Sequence, residues 1–388
     1  MAEYDSSEIV RGTSTAATGR RRAVWIAAAT LVGLACGDGP GAPPSLGSSS
    51  DGAASVSTAA TAVDSTASSE STADSTGPAP MGWMPSLDVG EDVGAFFSVW
   101  GPSPDLVYAA ASQPLDGGLS RGALYRWDGT DWSAQPLPPD TPGLNWVYGV
   151  GERRFLVGEL GVILVRDGDE GEWTRYDCET ILPLWGVWGI APDDVWAVGG
   201  DGFNRDPIAC HFDGESWTPQ VLPEPSFETH ALFKVWGTAS DDVWSVGDEG
   251  LLMHWQGEAA GWVEVPSGTD SDLISLWGTG PDEIVAVGGR TQAVVARFDG
   301  RAWSVRDEPE LLGLNGVWVA ADGTATVVGP LGGAGVVAPG SLQVQIEDSG
   351  TPLALHGVFG FDGVERWAVG GSLDMAPPYV GIALRRVP

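Results

Sequence analysis

Basic residues are scarce in this chain. Its 388 residues include 19 Lys and Arg against 52 Asp and Glu, a formal net charge of −33, and lysine occurs once, at Lys234. A field of this sign repels phosphate backbones, which argues against a nucleic-acid partner. The charge is typical of a solvated exported protein; acidic turns that bind Ca²⁺ are the alternative interpretation.

Side chains that commonly take part in catalysis are also few. Four histidines and six tyrosines are scattered along the chain, without a metal-ligand cluster, a glycine-rich phosphate loop or a nucleophile elbow. The densest acidic stretch, "DGDEGE" over residues 167–172, lacks the spacing of a Ca²⁺ loop. We therefore expect a non-enzymatic protein without a cofactor, with Ca²⁺ as the one ion left open.

The sequence has no apolar run long enough to span a membrane, and a shorter apolar run lies near the N-terminus. Residues 23–35, "AVWIAAATLVGLA", follow Arg20, Arg21 and Arg22 and end at Cys36. The run is too short to span a bilayer as a helix but matches a signal-peptide core behind a basic segment. We interpret residues 1–36 as a signal peptide whose end, "VGLAC", resembles a bacterial lipobox.

This interpretation predicts lipidation of Cys36 and a membrane-anchored bacterial lipoprotein in the periplasm or on the cell surface, attached through the lipid alone. Ordinary signal cleavage, an uncleaved anchor and a twin-arginine signal at Arg21 and Arg22 are the alternatives. Only three cysteines are present, so Cys178 and Cys210 remain if Cys36 is lipidated. A disulfide between these two suits an oxidising compartment but depends on geometry, and the sequence leaves it open.

Large apolar side chains are almost absent from residues 37–81, which are rich in Ser, Thr, Ala and Gly. Such a composition cannot offset the entropy of ordering the chain. We expect a disordered linker here, which would hold the domain at residues 82–388 away from a membrane surface.

Glycine, proline and tryptophan are abundant instead, with 56, 28 and 19 copies. Residues 82–388 repeat a "VWG" element whose aromatic members are 48, 40, 48, 41, 41 and 41 residues apart. Seven units of this length are typical of a β-propeller. The aromatic positions are Trp100, Tyr148, Trp188, Trp236, Trp277, Trp318 and Phe359.

Each unit predicts four short strands, which we name A to D. Strand A carries "VWG", strand B a motif such as "DDVWAVGG", strand C ends in Asp-Gly, and strand D begins with tryptophan. The seventh unit stops after strand C, whereas Trp83 precedes the first unit at the spacing of a strand-D tryptophan. We therefore predict an all-β, seven-bladed propeller of four-stranded blades whose last blade is closed by an N-terminal strand.

The repeated residues have structural explanations. Strand-B runs such as "VWAV" are apolar on both faces, which predicts burial between blades, and their tryptophans belong to the core rather than to a stacking platform for sugars or bases. The aspartates fit turns on one rim of the disc, with a ring of cation sites as the alternative. A basic residue or histidine recurs near the end of strand C and should pair with turn carboxylates: Arg126, His211, His254 and Arg297.

This pattern resembles the kelch repeat. It is also similar to bacterial "VWG…DDVWAVG…HxDGxxW" propellers grouped with Asp-box or glycosyl-hydrolase-like repeats and with photosystem assembly-factor propellers. The resemblance covers residues 82–388 and implies a propeller; through the Asp-box sialidases it also implies a glycan-processing enzyme as the alternative function. An Asp-box places its tryptophan five residues after the aspartate, whereas Asp213 and Trp217 are four apart. No sialidase arginine triad is identifiable.

Function is expected where the repetition stops, on the rim opposite the acidic turns. A propeller encloses a central channel, and the start of each strand A lies at one mouth of it, which we call the channel mouth. The sequence places polar and aromatic residues there that could receive an acidic or sugar ligand. Ordinary variation of exposed strand ends is the alternative explanation. These candidates are Asn145, Trp146, Trp185, Lys234, Asn315 and His356. We expect a binding or scaffolding module of the cell envelope whose partner is an envelope protein or a glycan.

Overall fold

The computed structural model describes residues 82–89, 93–115, 118–201, 207–372 and 379–387. The predicted signal peptide at 1–36, the predicted lipidation site at Cys36 and the predicted linker at 37–81 lie outside the described residues. Within the described ranges no helix is long and apolar enough to cross a membrane.

The chain forms seven four-stranded antiparallel sheets arranged as a ring of blades. The A strands of neighbouring blades contact one another around the ring, which places strand A innermost and strand D outermost. Blade 1 contains β2 (Ala95–Ser103), β3 (Leu106–Leu115), β4 (Leu119–Trp127) and β5 (Trp132–Gln135), and blade 2 contains β6 (Leu144–Val150), β7 (Arg153–Gly158), β8 (Ile163–Asp167) and β9 (Thr174–Tyr176). Blade 3 contains β10 (Leu184–Ala191), β11 (Asp194–Gly199), β12 (Ile208–Phe212) and β13 (Trp217–Pro219), and blade 4 contains β14 (Leu232–Ala239), β15 (Asp242–Gly247), β16 (Leu252–Trp255) and β17 (Trp262–Glu264).

Blade 5 contains β18 (Leu273–Gly280), β19 (Glu283–Gly288), β20 (Ala293–Phe298) and β21 (Trp303–Glu308), and blade 6 contains β22 (Gly316–Val319), β23 (Ala325–Val328), β24 (Ala334–Val337) and β25 (Val344–Glu347). Blade 7 contains β26 (Ala354–Phe361), β27 (Glu365–Ser372) and β28 (Val380–Arg386), with β1 (Trp83–Asp88) as its outer strand. Short 3-10 turns follow strand B at Glu159–Gly161, Asp248–Gly250 and Pro330–Gly332.

Ring closure is confirmed at the register predicted from the tryptophan spacing. Strand β1 pairs antiparallel with β28, and Trp83 lies opposite Arg386. In blade 3 the strand-D Trp217 lies opposite Phe212 at the same point of the sheet. The two distant parts of the chain therefore complete one blade, and unfolding of that blade opens the ring.

Blades are joined by aromatic side chains. The strand-B aromatic of one blade inserts between the strand-C and strand-D aromatics of the next: Trp196 lies 4.9 Å from Trp255 and 5.1 Å from Trp262, measured between ring centroids. Trp367 contacts Trp127 and Trp132 in the same way across the closure. The motifs of strands A and B predict eight core tryptophans: Trp100, Trp188, Trp196, Trp236, Trp244, Trp277, Trp318 and Trp367. Seven of them are buried and Trp277 is partly buried.

The glycine of "VWG" accommodates the aromatic of the preceding blade. A Cβ atom on Gly278 would lie 2.6 Å from Cη2 of Trp236 and 2.4 Å from the carbonyl oxygen of Glu283. A Cβ on Gly149 would similarly lie 2.4 Å from Cη2 of Trp100. Glycine is therefore required by close packing at these positions.

The acidic residues of the turns have the structural roles predicted for them. The Oδ1 atoms of Asp128, Asp213 and Asp299 each accept two backbone N–H groups of their own turn at 2.8–2.9 Å. These backbone hydrogen bonds lower the pKa of all three carboxyls. No group of three or more His, Cys, Asp or Glu that could hold a metal ion occurs among the described residues.

The recurrent basic residues of strand C do pair with carboxylates. Nε2 of His211 lies 2.8 Å from Oδ1 of Asp194, and Nε2 of His254 lies 2.7 Å from Oδ1 of Asp242. Nη1 of Arg297 lies 3.2 Å from Oε1 of Glu283. Each of these acids begins strand B of the same blade, so the second acid of the motif serves the sheet rather than the turn. Arg126 pairs instead with Glu170 of the next blade at 2.8 Å.

Cys178 and Cys210 form a disulfide, with Cα atoms 6.4 Å apart. Both residues are buried in one apolar cluster with Phe212 and Tyr176. The bond joins the segment after β9 to strand β12, so it links blade 2 covalently to blade 3. A loop of 32 residues corresponds to about 3–4 kcal/mol of stabilisation when the effect is assigned to the unfolded chain.

We predict that Gly278→Ala destabilises the protein by about 1–3 kcal/mol, because the added methyl group collides with a buried indole and a carbonyl oxygen. Gly280→Ala is the matched control in the same strand, since a Cβ there has no atom within 4 Å; it should be neutral or gain up to about 1 kcal/mol. Chemical denaturation of both variants tests the prediction, and equal stabilities would contradict it.

Candidate functional site

Each A strand presents one side chain outside its regular ladder. In six blades a β-bulge lies three residues before the "VWG" aromatic, so that this residue is skipped in the pairing of strands A and B. In blade 6 the corresponding Asn315 precedes β22 and donates its backbone N–H to Val328 O at 2.8 Å. Bulges redirect side chains away from the sheet faces, and here they turn one residue per blade toward a common point.

The seven redirected residues meet in one cavity of about 40 Å³. Lys234, the next residue along strand A of blade 4, also lines it. The cavity has room for a small polar group rather than for a sugar ring. The redirected residues are Phe97, Asn145, Trp185, Phe233, Ile274, Asn315 and His356.

The structure brings together the six candidates named from the sequence. Five of them line the cavity, and Trp146 lies beside it with its ring centroid 3.7 Å from Nζ of Lys234. Sequence reasoning missed Phe97, Phe233 and Ile274. Their shared register, three residues before each aromatic of "VWG", is the signal that could have identified them.

Among the titratable groups of the site, Lys234 has the pKa that is shifted furthest from its ordinary value. Its Nζ donates a hydrogen bond to Trp185 O at 2.9 Å and lies against the face of Trp146. No carboxylate of the described residues pairs with it, and burial lowers its pKa from 10.5 to about 7. The chain's single lysine is therefore a buried donor that loses its proton readily.

His356 is held neutral in the same cavity. Burial, reinforced by the charge of Lys234, lowers its pKa to about 4. Its ring lies 4.9 Å from that of Phe97, and none of the described residues forms a hydrogen bond with it. One ring nitrogen can donate and the other can accept, depending on the tautomer.

Two amides complete the polar set. Asn145 is 2% exposed; its Nδ2 donates to Leu184 O at 3.0 Å, while its buried Oδ1 has no hydrogen-bond partner. Asn315 makes the corresponding bond to Leu355 O at 2.9 Å. Each bond crosses to the next blade, so these residues hold the ring as well as lining the cavity. A buried acceptor without a donor is costly, and a ligand that donates to Asn145 would remove that cost.

The cavity suits binding by hydrogen bonds. It offers a donor at Lys234, an unpaired acceptor at Asn145 and either function at His356, surrounded by aromatic walls. Its eight lining residues include no Asp or Glu, whereas a glycosidase needs a pair of carboxylates at its scissile bond. The lining also has no set of side chains typical of a metal or cofactor site.

No protein-family model and no curated protein sequence matches the chain. Among solved structures, YCF48 bound to D1 peptide superposes with a TM-score of 0.56 at 14% identity, covering 79% of this chain and 97% of that one. YCF48 from Cyanidioschyzon merolae gives 0.59 at 13% identity, covering 79% and 99%. The WD40 β-propeller domain of Doa1 gives 0.58 at 12% identity, covering 78% and 97%.

These similarities establish the architecture and no more. The neighbours are YCF48 and WD40 propellers, so the predicted propeller is confirmed. Membership of the kelch or Asp-box groups is not shown by any of them. The chain is thus a seven-bladed β-propeller with a polar cavity where its seven A strands begin.

Lys234 should give the stability of the protein a distinctive pH dependence. Between its folded pKa of about 7 and its ordinary value of 10.5, the unfolded chain binds more protons than the folded protein, so the wild type gains stability as pH rises. Lys234→Met removes this gain. The difference in unfolding free energy between the two proteins should change by up to about 1.4 kcal/mol per pH unit in that window.

Denaturation of both proteins at pH 6 to 11 measures this difference. Arg301→Met is the control, since Arg301 lies in an exposed turn and its loss should leave the difference curve flat. A flat curve for Lys234→Met would show that Lys234 titrates normally.

Proposed function

We propose that the protein is a non-enzymatic binding module of the bacterial cell envelope, exported and lipid-anchored at Cys36, which takes its partner at the channel mouth. The single observation that carries the proposal is the convergence of one residue from every blade on one polar cavity, six of them redirected by bulges. Variation at solvent-exposed strand ends would not concentrate, at one point, an amide oxygen without a donor and a lysine without a carboxylate partner among the described residues.

The size and chemistry of the cavity favour a protein partner over a glycan. A volume of about 40 Å³ admits the end of a side chain, and the aromatic residues that line the cavity supply apolar contacts to it. One structural neighbour, YCF48, is known bound to D1 peptide, so a propeller of this architecture can bind a peptide. By analogy, an envelope protein is the partner that we favour.

Two features support export. The N-terminal pattern of basic residues, apolar run and "VGLAC" is present in the sequence, and the domain carries a disulfide between Cys178 and Cys210. Disulfides persist in oxidising compartments such as the periplasm or the cell surface. The linker at 37–81 would then separate the propeller from the membrane.

Binding is tested with the purified protein, screened against envelope proteins and glycans by thermal shift and then by calorimetry. Lys234→Met should weaken binding of any partner found by about tenfold or more, because a charge-assisted hydrogen bond contributes about 1.5–3 kcal/mol. Arg301→Met loses the same charge on the opposite rim and should bind like the wild type.

Equal affinities of the two variants would contradict a site at the channel mouth. Stabilisation by a glycan without turnover would change the class of partner. Release of product from any glycoside would overturn the non-enzymatic assignment and restore the glycan-processing alternative.

Anchoring is tested by replacing the lipidated cysteine. Cys36→Ser should abolish incorporation of labelled fatty acid and move the protein from the membrane fraction to the soluble fraction of a bacterial host. Cys178→Ser serves as the control, since it removes a cysteine of the folded domain and should leave lipid incorporation unchanged. Retention of the Cys36→Ser protein in membranes would contradict a lipid anchor.

A further inference from the structure

A second cavity lies between blades 6 and 7 on the rim of the A–B turns, opposite the channel mouth. Its volume is about 400 Å³, within the range of small-molecule sites. Trp318, Phe361 and Val364 supply apolar walls. Arg366 and Arg386 supply two guanidinium groups, and the carboxylates of Asp322, Asp362 and Glu365 also line the cavity. We call this cavity the blade 6–7 cleft.

The same two arginine positions occur between blades 1 and 2, where they hold a carboxylate. Arg154 and Arg166 are paired across β7 and β8, as Arg366 and Arg386 are across β27 and β28. Arg154 Nε lies 3.1 Å from Asp169 Oδ1. The aromatic neighbours also correspond, since Trp100 in blade 1 lies at the strand-A position of Trp318 in blade 6.

A hydroxyl completes this internal carboxylate site. Tyr108 donates its O–H to Asp169 at 2.8 Å and accepts a hydrogen bond from Arg166 at 3.1 Å. Its counterpart in blade 6 is Thr326, opposite Trp318 in the ladder; the Thr326 hydroxyl is fully buried and has no hydrogen-bond partner.

The carboxylate is what blade 7 lacks. Asp169 belongs to the turn between strands C and D of blade 2, four residues before Trp173. Blade 7 has no such turn, because its strand D is β1 from the other part of the chain. The eight residues before Trp83, "STGPAPMG", contain no Asp or Glu, so this segment cannot replace Asp169 at the equivalent spacing.

The other charges of the cleft are already engaged. Arg386 is paired with Glu347, and Glu365 accepts hydrogen bonds from Arg385 and from Trp367 Nε1. Asp322 is exposed and accepts the backbone N–H of Thr324 at 2.9 Å, and Asp362 accepts the backbone N–H of Ala321 at 2.9 Å. Arg366 receives no hydrogen bond or ion pair from the described residues. Burial and the charge of Arg386 lower its pKa, and the charges of Glu347 and Asp322 oppose this shift only in part.

We propose that the blade 6–7 cleft binds a carboxylate group from outside the chain, with Arg366 as its principal ligand, in the way that Arg154 holds Asp169. The cleft is larger than a carboxylate, so the apolar walls accept the carbon chain that bears it. Two sources carry this chemistry: the side chain of Glu or Asp in a partner, or a small free dicarboxylic acid. The inference is independent of the channel mouth, which lies on the other rim.

Calorimetry on the purified protein tests binding with three probes: succinate, a blocked peptide with one central glutamate, and the same peptide with glutamine. If only succinate binds, the ligand of the cleft is a small free dicarboxylic acid. If the glutamate peptide binds more tightly than succinate, the ligand is an acidic side chain of a partner. Arg366→Gln should weaken the bound probe by about 10- to 100-fold. Arg301→Gln, the same change in an exposed turn, should leave binding unchanged.

Failure of the glutamate peptide and succinate to bind, or equal binding by Arg366→Gln, would overturn the proposal. Sulfate binding as tightly as the carboxylates would overturn its carboxylate selectivity.

A stability comparison tests the same idea without a ligand. Arg154→Gln breaks an internal pair and leaves Asp169 without its cation, so its melting temperature should fall. Arg366→Gln breaks no direct ion pair, and the repulsion from Arg386 that it relieves offsets the attraction to Glu347 and Asp322 that it removes, so its melting temperature should be unchanged or higher. If the melting temperature falls equally in both variants, Arg366 has a structural role, and the proposal that it is a free carboxylate ligand is wrong.

Discussion

The structure depends on the packing of aromatic side chains between blades. The strand-B tryptophan of one blade fills the gap between two aromatics of the next, as Trp196 does with Trp255 and Trp262, and the indole of strand A lies against a glycine of its neighbour. Since each blade is covered on both faces by its neighbours, no blade buries its apolar surface alone. Closure by β1 follows from the same constraint, because an open ring would expose the interfaces on both sides of the gap.

Both candidate sites arise where this packing is interrupted. At the channel mouth, bulges turn six residues out of the ladders and Asn315 joins them from the start of blade 6. The resulting ring mixes hydrophobic residues with polar ones such as Asn145 and His356, and Lys234 lies beside them. Between blades 6 and 7, threonine and arginine occupy positions that are aromatic in blades 3 and 4, and a cleft remains. Departures from the repeat are therefore informative about binding, while the repeated acids and tryptophans are informative about stability.

The electrostatics separate the two sites. At the channel mouth burial drives Lys234 and His356 toward their neutral forms, so binding there should depend on hydrogen bonds and on the proton that Lys234 retains. In the blade 6–7 cleft an arginine stays charged, because even a lowered guanidinium pKa remains far above neutrality. A protein of net charge −33 thus keeps two local donor sites on opposite rims.

The number of blades, the strand order, the closure through Trp83 and the pairing of basic strand-C residues with acids could all be predicted from the sequence, since they follow from spacing and local chemistry. It also pointed to six of the residues at the channel mouth. Phe97, Phe233 and Ile274 share the register of these residues, three before the aromatic of strand A, but the register alone does not show that this position faces the cavity. The bulge that turns it inward is seen only in the folded sheet. The disulfide and the free Arg366 were likewise decided in three dimensions, since both depend on how neighbouring blades meet.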